Sequence, residues 1–567
     1  MLKTLALRFG PSGSVLPLEL APGPMTVFVG PNNSGKSLAL REVEEFLETG
    51  GTGSRRIVGH MELHLPGPED AAAMVEARRV EGDAVPAGWA RVSRLKPVGE
   101  YVKKRATDVE EPPTDQLIDL RETLRVLAAD RPPTEEETAR LLRDFFTLFT
   151  IRLDGRTRLA LTYPRPMGDL QQHPTNHLAA LFRDDGARAR IREITADAFG
   201  LYFVLDPTGG THLRIRMSPR APADGREEQS LDEAARAFHA AAADIQEMSD
   251  GVKAFTGLTA AVLSADYRIM LVDEPEAFLH PPLTRKLGKR LTQLAADRDA
   301  RVLAATHSPD FLMGCVQSGK GVNIVRLTYK GGVPGATLLH SDKLQTMMRD
   351  PLLRSTGVLG ALFHEGAIVC EADADRVFYQ EVNERLLAAG RCGADGCVFL
   401  NAQNKQTIRR ILRPLREMGI PAAAVVDLDI LKGKDDFRDL LRSAFVPDLF
   451  VEHWERTRAL LQQRLRGEDY KARGIYNLPR EHRAAAEMLL DGLAAFGVFV
   501  VPTGELECWL THLEVGGHGP EWLTQVFERM GTDSSRESYL RPGDGDVWRF
   551  MERLAAWVGD PLRRGMA

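Results

Sequence analysis

The run Met25-Thr26-Val27-Phe28-Val29-Gly30-Pro31-Asn32-Asn33-Ser34-Gly35-Lys36-Ser37 decides how the first half of this chain folds. Thr26 to Val29 reads as a short apolar strand and Gly30 to Gly35 as a glycine-bounded turn, with an amphipathic helix beginning near Lys36. Strand, tight turn and helix in that order make a phosphate cradle: the glycines let backbone N–H groups close round an anion, and the helix N-terminus adds a favourable dipole. Gly30, Asn32, Asn33, Ser34 and Gly35 then line the phosphates. Lys36 is expected to reach the β- and γ-phosphates and the Ser37 hydroxyl to ligate magnesium.

Further along, DYRIMLVDEPEAFLHP contains an apolar run, Ile269 to Val272, that ends in Asp273 and Glu274, as a buried parallel strand with carboxylates at its carboxyl edge would. Asp273 is placed to hold magnesium through water, and Glu274 to orient or deprotonate an attacking water. A third apolar strand, in RVLAATHSPDFL, ends in Thr306-His307-Ser308 and brings an imidazole to the same edge, where His307 would sense the γ-phosphate. Upstream, Met248-Ser249-Asp250-Gly251 opens a helix with a Ser cap and a glycine beside it, the chemistry of an anion-binding helix start.

This order of motifs resembles the ABC ATPase superfamily, in particular its RecF, SMC and OLD (overcoming lysogenisation defect) branches. The resemblance implies ATP as cofactor and a head-to-tail dimer in which Ser249 and Gly251 of one subunit complete the nucleotide site of another. Ser249-Asp250-Gly251-Val252-Lys253 stands where transporters carry SGGQ, which points away from them. The roughly two hundred residues between cradle and signature exceed a bare cassette. Within them, residues about 100–150 carry helical spacing, broken at Arg131-Pro132-Pro133-Thr134, and are expected to form a helical insertion serving as a dimerisation arm. TIRLDGRTRLALTY and LYFVLDPTGGTHLRIRMS read as hairpins turning at Asp154-Gly155 and at Thr208-Gly209-Gly210. The acidic, proline-rich stretches Asp108 to Pro113 and Pro219 to Glu228 read as loops.

After a linker over 341–365 the pattern alternates strand and helix: GAIVCEADADRVFYQEVNERLL, CVFLNAQ, KQTIRRILRPLREMG, IPAAAVVDLDIL. A small parallel α/β domain follows, so the chain divides into 1–340 and 366–567. Glu371 closes the first of these strands and Asp375 lies one helical turn on. Asp427 and Asp429 follow the third strand with a period of two, which in extended chain puts both on one face. Carboxylates converging there repel unless cations sit between them, and hard oxygen donors suit Mg²⁺ or Mn²⁺. The pattern resembles the TOPRIM domain of topoisomerases, primases and OLD-family nucleases, whose Glu and Asp-x-Asp position metals on a phosphodiester. The same resemblance extends to an acidic residue after GVFVV, for which Glu507 is preferred over Glu505, a solvated turn being the alternative. Ala372 stands where many relatives have Gly, and no lysine follows Lys471 where that family commonly has one; Arg536 or Arg541 would replace it imperfectly.

At 567 residues, 43% hydrophobic and 27% charged, the chain has globular composition and length for three or four units. A net charge of -6 excludes a uniformly basic nucleic-acid binder, so DNA contact falls to local patches such as Arg409, Arg410, Arg413 and Arg416, or Arg464, Arg466, Arg473 and Arg480. Five cysteines without a regular framework fit a reducing compartment; Cys392 and Cys397 lack the second pair a zinc site needs. No run approaches a membrane span and the start lacks a signal-peptide core, so the cytoplasm is expected and no membrane partner. The resemblance as a whole implies an ATP-dependent or ATP-regulated DNA endonuclease, homodimeric or higher, similar to the nuclease subunit of Gabija systems and to retron-associated effectors, hence a role in antiphage defence with a defence-system partner protein. The alternatives are a nucleotide-switched DNA-repair ATPase, or a sensor that scaffolds an effector, neither of which cuts.

Overall fold

The computed structural model describes residues 2–11, 16–80, 85–93, 115–155, 157–340, 349–350, 357–465 and 470–567. Its largest sheet has six strands: β1 (Met25–Val29), β2 (Thr150–Leu153), β3 (Ile269–Asp273), β4 (Arg301–Ala305), β5 (Val322–Lys330) and β6 (Val333–His340). They lie in the order β6-β5-β1-β4-β3-β2, all parallel except β6, which returns antiparallel on β5. Parallel strands need both faces covered, and β1, β3 and β4 are accordingly near-continuous Val, Leu, Ile, Met and Ala. The helix α1 (Lys36–Glu48) leaves the end of β1, and α2 (Asp250–Ser264) packs with a nearly unbroken buried apolar surface from Ala254 onward.

The first expected hairpin is overturned. Thr150–Leu153 pairs in parallel with β3 as the edge strand of the large sheet, and a short helix, Thr157–Ala160, follows Asp154-Gly155. Alternation in TIRL served either reading, because an edge strand and a hairpin arm share a period of two. The second hairpin is present: Tyr202–Asp206 pairs antiparallel with His212–Ser218. Glu228, read from sequence as a loop acid, lies in the helix Gly225–Gln229, buried against Arg188 (3.0 Å) and Arg192 (2.6 Å). Residues 115–149 give a strand, helices at Leu120–Leu127 and Glu135–Arg140, and a tight turn. Leu141, Leu142, Phe145 and Phe149 bury that turn in the same apolar cluster as Val43 and Leu47 of α1, so this part lies against the large sheet's core instead of projecting as an arm. Residues 94–114, with the Asp108 to Pro113 stretch, lie outside the described residues.

The C-terminal unit is a four-stranded, fully parallel sheet of β7 (Gly366–Cys370), β8 (Cys397–Asn401), β9 (Ala422–Val426) and β10 (Val498–Val500) in the order β8-β7-β9-β10. Helices α3 (Asp373–Ala388) and α4 (Lys405–Glu417) make the crossovers. Most of the expected linker lies outside the described residues, but its end is packed structure: Val358–Phe363 is a buried 3-10 turn. One apolar cluster runs from Val27 and Val29 beneath the cradle to Val369 and Val426 beneath the carboxylates, joining the two units. Buried Arg326 of β5 reinforces the joint, donating from Nη2 to the His364 carbonyl at 2.8 Å.

Candidate functional site

Two strand-end clusters carry the polar chemistry. In the first, Gly30 has φ 141° and a Cβ there would stand 2.0 Å from the Leu327 carbonyl oxygen; Gly35 caps α1 with φ 95°. No side chain fits either position, which is why the turn is written with glycine. Buried Lys36 donates to the carbonyls of Gly30 (2.9 Å) and Pro31 (2.7 Å), bending its ammonium over the turn. Burial pulls its pKa down to about 8, against the opposing charges of Asp273, Glu274 and Glu276. Ser37 Oγ donates to Asp273 Oδ1 at 2.8 Å, so the two residues expected to share a magnesium ion are neighbours. Burial raises the Asp273 carboxyl.

Glu274 sits just past β3 in left-handed backbone, φ 49°, its N–H donating to the Ala305 carbonyl at 2.8 Å. A non-glycine residue held in that region costs about 1–3 kcal/mol, which the surrounding sheet must offset. The His307 N–H donates to Glu276 Oε1 at 2.7 Å, fixing the end of β4 against the turn after β3. His307 follows β4, which pairs in parallel with β1, so it lies at the same sheet edge as the cradle; desolvation and then the charge of Lys36 push its imidazole below its ordinary pKa. Sequence reading missed two members. Glu276 is raised by burial, and fully buried Arg158 donates from Nη2 to the Asp273 carbonyl at 2.7 Å. Both come from segments whose pattern predicts only a turn and a hairpin arm.

Ser249 and Gly251 lie apart from this cluster. Ser249 occupies the N-cap position of α2 without a side-chain capping bond, and a Cβ at Gly251 would meet the Phe278 carbonyl at 2.8 Å. With Phe199, Phe278 and His280 they line an open cleft of about 460 Å³ to which no residue of 30–37 contributes.

In the second cluster, Glu371 Oε1 accepts from the Asp427 N–H at 2.9 Å, and Asp375, buried in the first turn of α3, accepts the Ala372 N–H on Oδ2 at 2.9 Å. Ala372 has φ −129° and ψ 173°, extended backbone open to any residue, so alanine in place of glycine introduces no strain. The expectation for Asp427 and Asp429 is corrected: β9 ends at Val426, Asp427 caps a 3-10 turn over Leu428–Leu431, and Asp429 lies inside it. A turn, and not extended alternation, brings both toward Glu371. Burial raises Glu371 and Asp427, and each is raised further by the carboxylates around it. Burial also lifts Asp375 to about 6, with Glu507 adding to it.

Glu507 Oε1 accepts the Gly519 N–H at 2.7 Å and stands 3.4 Å from His518 Nδ1. Among the described residues, the group of potential ligand atoms gathered within 4.8 Å of one another is Glu505, Glu507 and His518. Glu371, Asp375, Asp427 and Asp429 interact through space without reaching that spacing. Asp429 is held elsewhere, by Lys405, whose Nζ donates to Oδ2 at 2.7 Å. Lys405 was not anticipated; the available signal was a lysine opening the helix after β8, whose end lies one strand from Glu371. Arg536 is exposed and paired with Asp533, and Arg541 is exposed with a bond to the Ser534 carbonyl. Arg385, about 15 Å along α3 from Asp375 at 1.5 Å per residue, binds the Met530, Gly531 and Leu540 carbonyls that flank this loop.

The arginine patches divide. Arg416 is buried and donates to the carbonyls of Ala422, Ala444, Phe496 and Gly565, so it is structural and cannot track a phosphate backbone. Arg409, Arg410 and Arg413 pair with Asp439, Asp350 and Glu417. Arg464, Arg473 and Arg480 are exposed; Arg466 lies outside the described residues. All five cysteines are free, and no helix of the described residues is long and apolar enough to cross a membrane.

Residues 215–313 match the family described as "AAA domain, putative AbiEii toxin, Type IV TA system", and residues 362–429 match "Overcoming lysogenization defect protein-like, TOPRIM domain". The first covers the signature, β3 and β4 but not the cradle; the second ends on Asp429. Similar solved structures include an Smc head domain bound to the C-terminal domain of ScpA from Pyrococcus furiosus (14% identity, 61% of this chain and 98% of that chain, TM-score 0.32). Others are the SMC head domain from Thermotoga maritima (15%, 60% and 98%, TM-score 0.27) and the ADP conformation of an ATP-binding cassette of an ABC transporter (11%, 63% and 98%, TM-score 0.25). No curated protein matches the chain.

Proposed function

We propose that this chain, which joins an AAA-type ATPase domain to an OLD-like TOPRIM domain, is an ATP-regulated, divalent-metal-dependent DNA endonuclease that works in antiphage defence. The observation that carries the cutting site is the gathering of buried Asp375 with half-buried Glu371 and Asp427 at the carboxyl edge of a parallel sheet, each raised by desolvation and then by nearby carboxylates, Glu507 in the case of Asp375. Such a set is held together best by a hard cation, and its all-oxygen donors suit Mg²⁺ or Mn²⁺. Glu371, Asp375, Asp427, Asp429 and Glu507 would hold the ions. Bound there, divalent ions supply Lewis-acid activation of water and stabilise charge on the phosphodiester.

The residues' own work is distinct. Glu371 ties the end of β7 to the turn carrying Asp427, while Asp375 and its bond to Ala372 fix the start of α3. In the ATPase unit, Gly30, Asn32, Asn33, Ser34 and Gly35 would surround the phosphates, and Lys36 would exchange its two carbonyl partners for phosphate oxygens. Ser37 and Asp273, hydrogen-bonded to each other, would hold Mg²⁺, with Glu274 at the strand edge to take the proton of an attacking water and His307 at the end of the neighbouring strand. Because Ser249 and Gly251 open onto a separate cleft, a homodimer would close them on the partner's nucleotide. The continuous core between the units is the route by which nucleotide state would reach the TOPRIM edge.

Plasmid cleavage with Mg²⁺ or Mn²⁺, with and without ATP, tests this reading. Asp427→Ala is expected to abolish cutting and spare ATP turnover; Lys36→Ala is expected to abolish turnover and change the ATP dependence of cutting. Undiminished cleavage by Asp427→Ala overturns the site. ATP turnover with no cleavage of any duplex or single strand favours the non-cutting repair or sensor reading.

A further inference from the structure

The geometry points to a role for Lys405 as the TOPRIM site's own movable cation: it occupies Asp429 in competition with a divalent ion and, once displaced, contacts the phosphodiester. The inference rests on the nuclease reading and goes beyond it, since it names the basic residue of the site and makes metal and lysine rivals for one carboxylate.

Three observations carry it. Lys405 Nζ lies 2.7 Å from Asp429 Oδ2 and, among the described residues, it is the cation in ion-pair contact with any of Glu371, Asp375, Asp427 and Asp429. This pair holds Asp429 while the neighbouring carboxylates stay short of metal-binding spacing. Second, Lys405 is the first residue of α4, behind an Asn404 cap whose Oδ1 accepts the Thr407 N–H. A positive charge in the first turn opposes the helix dipole, so helix stability gives no reason for lysine there. Third, the side chain is 23% exposed on a flexible four-carbon stem, so the ammonium can leave Asp429 without unpacking the core. A phosphodiester entering a site of six carboxylates, Glu505 and Glu507 included, needs positive charge beyond the metal ions; Arg536 is paired with Asp533, Arg541 with the Ser534 carbonyl, and Lys471 acts on Glu505, whereas Lys405 is bonded directly to Asp429.

The test compares wild type, Lys405→Met and Lys405→Arg in the full chain, stripped with chelator, by calorimetric titration with Mn²⁺ and by plasmid cleavage at saturating Mn²⁺. Removing the rival cation is expected to tighten Mn²⁺ binding in Lys405→Met by about three- to tenfold, while lowering kcat by about a hundredfold with little change in KM. Lys405→Arg should restore part of kcat. A merely structural ion pair predicts the opposite sign, with weaker metal binding alongside weaker cutting, and that result overturns the inference, as does unchanged affinity or a kcat within twofold of wild type. If wild type binds Mn²⁺ through Asp427 yet cuts nothing, tighter binding by Lys405→Met retires the nuclease reading and the phosphate contact while sustaining the competition for Asp429.

Discussion

Replacing Asp375 with Asn should stabilise the metal-free protein, although it removes a residue assigned to the site. Asp375 is buried in the first turn of α3, and burial, with Glu507 nearby, lifts its pKa from 3.8 to about 6. A folded pKa above the unfolded one means that the native state binds the proton more tightly. Stability is therefore unaffected below pH 3.8, falls as pH rises toward 6, and stays reduced above it. At 1.36 kcal/mol per pKa unit, keeping Asp375 ionised at pH 7 costs about 3 kcal/mol. Asn removes that charge but keeps an oxygen for the Ala372 N–H; what it forfeits is the dipole benefit of a carboxylate at the helix start, about 1 kcal/mol at most. The net gain is about 2 kcal/mol, or roughly 4–8 °C in the melting of a domain this size. The assay is thermal unfolding in chelator at pH 4 and pH 7, repeated with Mn²⁺. The variant should lead at pH 7, match wild type at pH 4, and gain less from the metal. A variant less stable than wild type at pH 7 without metal, or an advantage equal at both pH values, would refute the reasoning.

Gly30→Ala forces a Cβ to within 2.0 Å of the Leu327 carbonyl at φ 141°, so loss of about 2 kcal/mol or more and of all stabilisation by Mg–ATP in a thermal-shift titration are expected. Arg416→Met removes the donor from five carbonyls and should cost about 3 kcal/mol or more, visible as early proteolytic release of the C-terminus near Gly565. His177 is fully buried with Nε2 on the Leu161 carbonyl at 2.8 Å, and burial holds its pKa down at about 4, below the unfolded 6.5. The unfolded chain then takes the proton first, so stability drops as pH falls from 6.5 to 4, by about 2 kcal/mol at pH 5; His177→Gln should flatten that part of the urea-midpoint profile.

The short-range features were legible in the sequence because neighbours in the chain create them. Gly30 and Gly35 are required by local backbone, the apolar runs of β1, β3 and β4 by burial on both faces, and the Glu371 and Asp375 pair by one helical turn. What only the tertiary structure decided involves groups far apart in sequence. Thr150–Leu153 could be a hairpin arm or an edge strand until β3 was there to pair with it. Arg416 reads as one of a row of surface arginines, and the carbonyls of Ala422, Ala444, Phe496, Gly497 and Gly565 bury it. Asp427 reaches Glu371 through its backbone N–H at the start of a 3-10 turn that no period of two describes, and that turn hands Asp429 to Lys405. Lys405, 24 residues before Asp429, reaches it because the order β8-β7-β9 puts both strand ends at one edge. Periodicity records which face a residue occupies; charge pairing across crossovers depends on strand order, which no local pattern encodes.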